Sequence, residues 1–392
     1  MKRKLNILAG DTALWVIFFL LSGISLIAVY STIGLSAITT MGSTPMSVFF
    51  RHLAMVMTTY VVVIVMSHIN FRRFSRPSIW LYIVSIVLLV LVIIFDDERR
   101  WLDLPVLPRF QPSEIAKVVL VVFTARNIAR SRDRLDEPNT LYILLIPVVI
   151  ITLLVAPSNL STGLLIFFSC YLLLYFGGIN RRVWWRGMAI MLALVALAFV
   201  FFYFLGDKVD LFRTSTWGHR LRSWLHPDPN ELTQENMARM AVARGGLFFH
   251  NGIGTTIHGR LMTQAHNDFI FAIIIEEVGS LVGAFIFILY AWFYFRCIRI
   301  ATRCQALFGS LCVAGIGTMV YLQALIHMGV ALGVIPVTGQ TLPFISYGGT
   351  AYILMGVGIG VIQAVAADNK RQQRLAAKAE QNNEQQKPIV NP

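Results

Sequence analysis

Three acids and a histidine gather in AHNDFIFAIIIEEVGS, residues 265–280. His266 and Asp268 stand where a long polar segment meets an apolar run, and Glu276 and Glu277 lie inside that run. A carboxylate beside a group that titrates near neutral pH is equipment for general acid–base chemistry. A plainer reading competes, because Asn267 or Asp268 would serve equally well as N-cap of the helix that the apolar run predicts. The glutamates fall about 12 Å further along that helix, and neighbouring residues on it point about 100° apart. Neither aligns with Asp268, so both are expected to serve helix packing or a polar bundle interior.

A second constellation lies in RWLDLPVLPRFQPSEIAKVV, residues 100–119. Pro112 suits a first helical turn, and the helix it opens places Glu114 and Lys117 three residues apart on one face. An acid and a base facing a bundle interior are functional candidates by default. The bland account is that Glu114 favours the helix dipole and Lys117 snorkels outward. His327 reads as a hydrogen-bonded core histidine. His219, His226, His250 and His258 lack the spacing of a zinc site. Cys170, Cys297, Cys304 and Cys312 make no disulfide framework and no metal set.

The elements that must position these residues are membrane helices. The chain is 56% hydrophobic and only 14% charged, against about 25% charged in soluble domains. Apolar runs long enough to cross a bilayer of about 30 Å recur throughout. They predict an all-α polytopic membrane protein with about ten transmembrane helices, near 12–31, 50–67, 78–95, 112–126, 141–156, 162–177, 187–206, 269–294, 308–333 and 345–366. The basic start precedes an apolar stretch too long for a signal peptide, so it reads as an uncleaved first span. Most of the 33 Lys and Arg fall on one side of that topology, in KRK (2–4), Arg72, Arg73 and Arg76, RNIARSRDR (126–134), Arg181, Arg182 and Arg186, RCIRIATR (296–303) and the tail. That asymmetry places both termini in the cytoplasm. The net charge of +13 is thus an orientation signal, and no nucleic-acid partner is expected.

Three segments break the span-and-loop rhythm. A large outer loop between helices 7 and 8, residues 207–268, carries tryptophans, arginines and the glycine-rich RGGLFFHNGIGTTIHG. GVIPVTGQTLPFISYGGT (333–350) sets prolines and glycines at membrane depth, where irregular backbone has to be buried in protein or face a water-filled cavity. After the transmembrane domain, 1–366, a polar cytoplasmic tail of residues 367–392 is expected to be disordered apart from a short helical start. No internal repeat is evident. Sequence physics alone leaves a transporter or flippase with a polar cavity, an enzyme acting on a membrane-embedded substrate, and a non-catalytic scaffold.

FQPSEIAK (110–117), HNDFIFAIIIEEVG (266–279), PVTGQTLPFISYGGT (336–350) and the loop motif ARGGLFFHNGIG (243–254) resemble the signature segments of the SEDS family (shape, elongation, division and sporulation). The likeness covers essentially the whole chain, and its motif forms look closer to the division branch than to the elongation branch. It implies a peptidoglycan glycosyltransferase that polymerises lipid II, the undecaprenyl-pyrophosphate-linked precursor, at the outer face of the bacterial cytoplasmic membrane. The implied partners are a class B penicillin-binding transpeptidase, other divisome or elongasome proteins and membrane lipids.

By motif, the family's essential aspartate falls on Asp268, and its glutamate and lysine fall on Glu114 and Lys117. Asp268 would then be the general base that takes a proton from the attacking sugar hydroxyl. The leaving pyrophosphate calls for cations or a divalent metal such as Mg or Mn. Glu114, Lys117, Arg100, His266, Arg239, Arg244 and Ser346 are the candidates for binding substrate; the metal, if any, is left open. The sequence departs from the family pattern at Asn159, where an aspartate is usual, at Asn267 in HNDF, at His327 and at Thr350. The first departure weakens any two-carboxylate or metal-bridging scheme.

Overall fold

A computed structural model describes residues 8–39, 44–95, 101–104, 107–135, 137–206, 214–228, 231, 233–248, 252–258, 262 and 267–385. The long helices are α1 (Thr12–Thr39), α2 (Pro45–His68), α3 (Pro77–Phe95), α4 (Pro112–Arg130), α5 (Pro138–Val155), α6 (Leu160–Gly177) and α7 (Arg181–Leu205). Two shorter ones, α8 (Thr214–Leu225) and α9 (Gln234–Arg244), belong to the outer loop, and a nine-residue helix α10 (Ile270–Val278) follows it. Then come α11 (Ser280–Thr302), α12 (Leu307–Ala331) and α13 (Thr350–Gln385). Strands β1 (Leu102–Leu104) and β2 (Leu107–Phe110) pair antiparallel between α3 and α4.

Local sequence sets these boundaries. Thr44, Asn159, Asn180 and Thr233 cap α2, α6, α7 and α9, each side chain accepting from a backbone N–H of the first turn, as small oxygen-bearing residues do. Prolines open α2, α4 and α5, where a missing N–H costs nothing. Among the described residues, eight helices are long and apolar enough to cross a membrane, and the chain is a multi-pass membrane protein. α4 and α12 are buried along most of their length and form the bundle's centre. α7 stands apart, with only Trp184 and Met188 buried among its described side chains.

Two expectations change. The helix expected at 269–294 is two helices, α10 and α11. Gly279 between them has φ 101°, and a Cβ there would come within 2.9 Å of the Leu247 carbonyl oxygen. Left-handed backbone and that close approach both require glycine, so Glu276 and Glu277 lie on a separate nine-residue helix ahead of the candidate span Ser280–Thr302. Beyond the membrane, α13 runs on to Gln385, where a disordered tail with a short helical start is expected. Its alanines, glutamines and charged residues are good helix formers.

The start of α1 and the middle of α13 meet at one end of the bundle. Asp11 N–H donates to Gln363 at 2.6 Å, Lys370 donates to the Gly10 carbonyl at 2.6 Å, and Arg296 of α11 pairs with Asp11. Ser31 sits twenty residues further along α1, about 30 Å away, and there its hydroxyl donates to Glu277. The outer-loop segments therefore assemble at the opposite end.

Candidate functional site

Asp268 stands immediately before α10 and is partly buried. The N-cap position of α10 is held by Phe269, whose side chain makes no capping bond. The preceding carbonyl, that of Asn267, accepts from Ser346 Oγ at 2.8 Å. Ser346 is 2% exposed and its hydroxyl also accepts from Leu342 N–H at 2.8 Å.

Glu114 and Lys117 do pair, at 2.7 Å. Lys117 also donates to Gln323 of α12 at 3.0 Å, and Gln323 donates in turn to the Thr341 carbonyl at 2.9 Å. An ion pair this well buried holds only when its remaining valences are met, and the Gln323 relay meets one while tying α4 to the linker that joins α12 and α13. His327 is a core histidine, as expected, donating through Nδ1 to the Gln340 carbonyl at 2.8 Å. Asn159 caps α6 and donates to the Gly339 carbonyl at 3.4 Å. Residues 342–346 of the irregular linker are buried in protein, as irregular backbone at membrane depth demands, while Val334 near its start is exposed.

Glu276 and Glu277 form a separate centre. Glu276 accepts from Thr256 Oγ1, from the backbone of Ile257 and His258, from His258 Nδ1 at 2.8 Å and from Arg244 at 3.4 Å. Glu277 accepts from Ser31 Oγ and from the backbone N–H groups of Gly254 and Thr256. Burial pushes the Glu276 carboxyl up, but these bonds outweigh it and leave it below its ordinary value. For Glu277 burial dominates, and the carboxyl is raised. The two acids staple the glycine-rich strap 252–258 to α10 and α1.

The candidate cations scatter. Arg244 is engaged by Glu276, and Arg239 packs over the linker, close enough that a Cβ on Gly333 would meet its Nε at 2.6 Å. Arg100 and His266 lie outside the described residues. Two features had no signal in the sequence. One is Gln323, remote in the chain from the pair it supports. The other is a cavity of about 740 Å³ between α5, α6 and the outlying α7, walled by Leu145, Leu164, Met191 and Leu194, with Asn159, Thr338 and Arg220 at its outer end. Arg220 is the only charged side chain among the described lining residues, and it donates to the Val337 carbonyl at 3.4 Å. Among the described residues no three metal-ligating side chains cluster.

A multi-pass helical bundle with a partly buried acid at one end and an apolar cavity in its flank defines the class, a polytopic helical membrane protein. A family model described as a cell cycle protein, that of FtsW, RodA and SpoVE, matches residues 11–371, and the chain belongs to that family. Peptidoglycan glycosyltransferase MrdB of Escherichia coli (strain K12) is 31% identical over 330 residues, covering 82% of this chain and 86% of that protein. The probable peptidoglycan glycosyltransferase FtsW of Hydrogenovibrio crunogenus is 34% identical over 316 residues, 77% of each chain. In fold, the chain resembles a component of a solved peptidoglycan synthase complex, with TM-score 0.71, 24% identity and coverage of 92% of this chain and 99% of that one. The rod shape determining protein RodA of Thermus thermophilus superposes with TM-score 0.64 at 23% identity, over 92% of this chain and 98% of that one.

Proposed function

We propose that the chain is a peptidoglycan glycosyltransferase that polymerises lipid II at the outer face of the bacterial cytoplasmic membrane, with Asp268 as general base. The observation that carries this is the placement of Asp268. Its carboxylate is held at the outer-loop end of the bundle in partly buried surroundings, and Phe269, not the acid, occupies the cap position. A positioned carboxylate that accepts the hydroxyl proton as the sugar attacks the anomeric carbon contributes about 10²–10⁴ in rate. The departing pyrophosphate calls for cations, and Lys117, Arg220, Arg239 and Arg244 are the candidates. The 740 Å³ cavity is of the size and apolarity to hold part of an isoprenoid chain while the headgroup stays in water.

Membership in the family of FtsW, RodA and SpoVE, with relatives named as peptidoglycan glycosyltransferases, supports the reaction class, and the motif forms support the division branch. A class B penicillin-binding transpeptidase is the partner that would crosslink the strands. Residues 1–366 form the membrane domain, and 367–392 extend into the cytoplasm. The test is polymerisation of labelled lipid II in detergent by the protein purified with its transpeptidase. Glycan strands from wild type and none from Asp268→Ala are expected. Equal strands from both would remove Asp268 from the mechanism, and none from wild type would favour a flippase.

A further inference from the structure

Residues 342–346 are held with unusual completeness. Three consecutive carbonyls are each captured by a hydroxyl from a different helix. Tyr290 of α11 donates to Pro343, Tyr352 of α13 to Phe344 at 3.3 Å, and Ser25 of α1 to Ile345 at 2.8 Å. His52 of α2 stands behind Ser25, its Nε2 2.8 Å from the hydroxyl. Phe344 has φ 63°, a left-handed conformation that a bulky residue keeps only where its surroundings hold it. At the end of this fixed segment, Ser346 reaches across to the Asn267 carbonyl. That oxygen and the nitrogen of Asp268 belong to one planar peptide unit. The hydroxyl therefore fixes the plane from which the Asp268 side chain departs.

We propose that Ser346 is a positioning residue for Asp268: by bonding the Asn267 carbonyl it registers the carboxylate against the rigid 342–346 segment. This rests on the reading of Asp268 as general base. Ser346 then acts through the backbone and does not touch substrate, which agrees with its burial and with both of its hydrogen bonds ending on main-chain atoms. The four helices that contribute Ser25, His52, Tyr290 and Tyr352 make the segment a fixed reference.

The test uses protein purified with its transpeptidase, comparing wild type, Ser346→Ala and Ser346→Thr on lipid II. Ser346→Ala lowers kcat by roughly 10- to 100-fold, the scale of a misplaced reacting group, with KM changed by no more than about twofold. Ser346→Thr, which keeps the hydroxyl, recovers most of the rate. In an Asp268→Ala background, adding Ser346→Ala changes neither residual activity nor lipid II binding. A raised KM with kcat intact, or weaker lipid II binding in that background, would overturn the proposal in favour of direct substrate contact. Should Ser346→Ala not fold, Tyr290→Phe loosens the same segment one step back and is expected to show the same kcat-selective loss; unchanged kcat there overturns the proposal. Full polymerisation by Asp268→Ala would defeat the general-base reading alone. In that event faster amide exchange at residues 267–270 in Ser346→Ala still supports the positioning link, and unchanged exchange defeats it.

Discussion

Lys117 on α4 lies 3.0 Å from Gln323 on α12, and this contact joins a buried ion pair to the linker that follows α12. Removing one partner of a buried pair leaves an uncompensated charge, at a cost of about 3–5 kcal/mol. Glu114→Ala and Lys117→Met are therefore expected to lower the melting temperature in detergent sharply. Exchanging the two charges should restore much of that stability. Activity that stays absent in the stable exchanged variant would show that the site also needs these residues chemically.

The Glu276 staple makes a different prediction. Glu276→Ala strands the buried Thr256 hydroxyl, at about 1–3 kcal/mol, together with the partly buried donors of Ile257 and His258. Limited proteolysis should then cut within the strap 252–258 while the membrane helices stay intact. Unaltered protection of the strap would remove Glu276 as its anchor.

The same carboxylate sets a pH dependence. Its folded value lies below the ordinary 4.5, so the unfolded chain binds the proton more readily. The resulting stabilisation is complete above about pH 4.5 and is lost as pH falls through the folded value. The difference in melting temperature between wild type and Glu276→Gln is expected to shrink as the pH drops below 4.5. The Glu276 charge is also one cause of the raised Glu277 carboxyl, so the comparison is made in a Glu277→Gln background that isolates Glu276.

Filling the flank cavity tests whether an isoprenoid uses it. Ala198 lines the cavity, and Ala198→Phe projects a ring into it. Polymerisation should show a raised KM for lipid II, with melting changed little because α7 stands largely free of the bundle. A kinetic profile identical to wild type would argue that the chain lies elsewhere.

Gly279 supplies a fold-level test. Gly279→Ala forces a Cβ to within 2.9 Å of a backbone carbonyl, in left-handed geometry. Lower thermal stability, together with faster exchange at the amides of Ser280 and Leu281 that bond Gly246 and Leu247, is the expected outcome.

Much of the bundle was legible because apolar run length is a direct consequence of bilayer thickness. The Glu114–Lys117 pair could be read from helical spacing alone. The split at Gly279 could not, since one glycine between IIIEEV and SLVG leaves the apolar run unbroken and only its φ reveals the turn. Gln323 was invisible for another reason: its partner lies 206 residues away. Nor does any pattern announce the cavity, which exists because α7 keeps its distance from α5 and α6. Burial of the Ser346 hydroxyl likewise depends on tertiary placement, so a residue type suited to binding sugar is found bonding backbone.

The separation of α7 from its neighbours has a kinetic corollary. A flank that opens sideways into hydrocarbon can receive its cargo by travel within the leaflet. Encounters are then confined to two dimensions, and arrival depends on how many precursor molecules share the membrane rather than on their concentration in the surrounding water. Loading of the enzyme should accordingly respond to lipid dilution in vesicles at constant bulk amounts of protein and substrate.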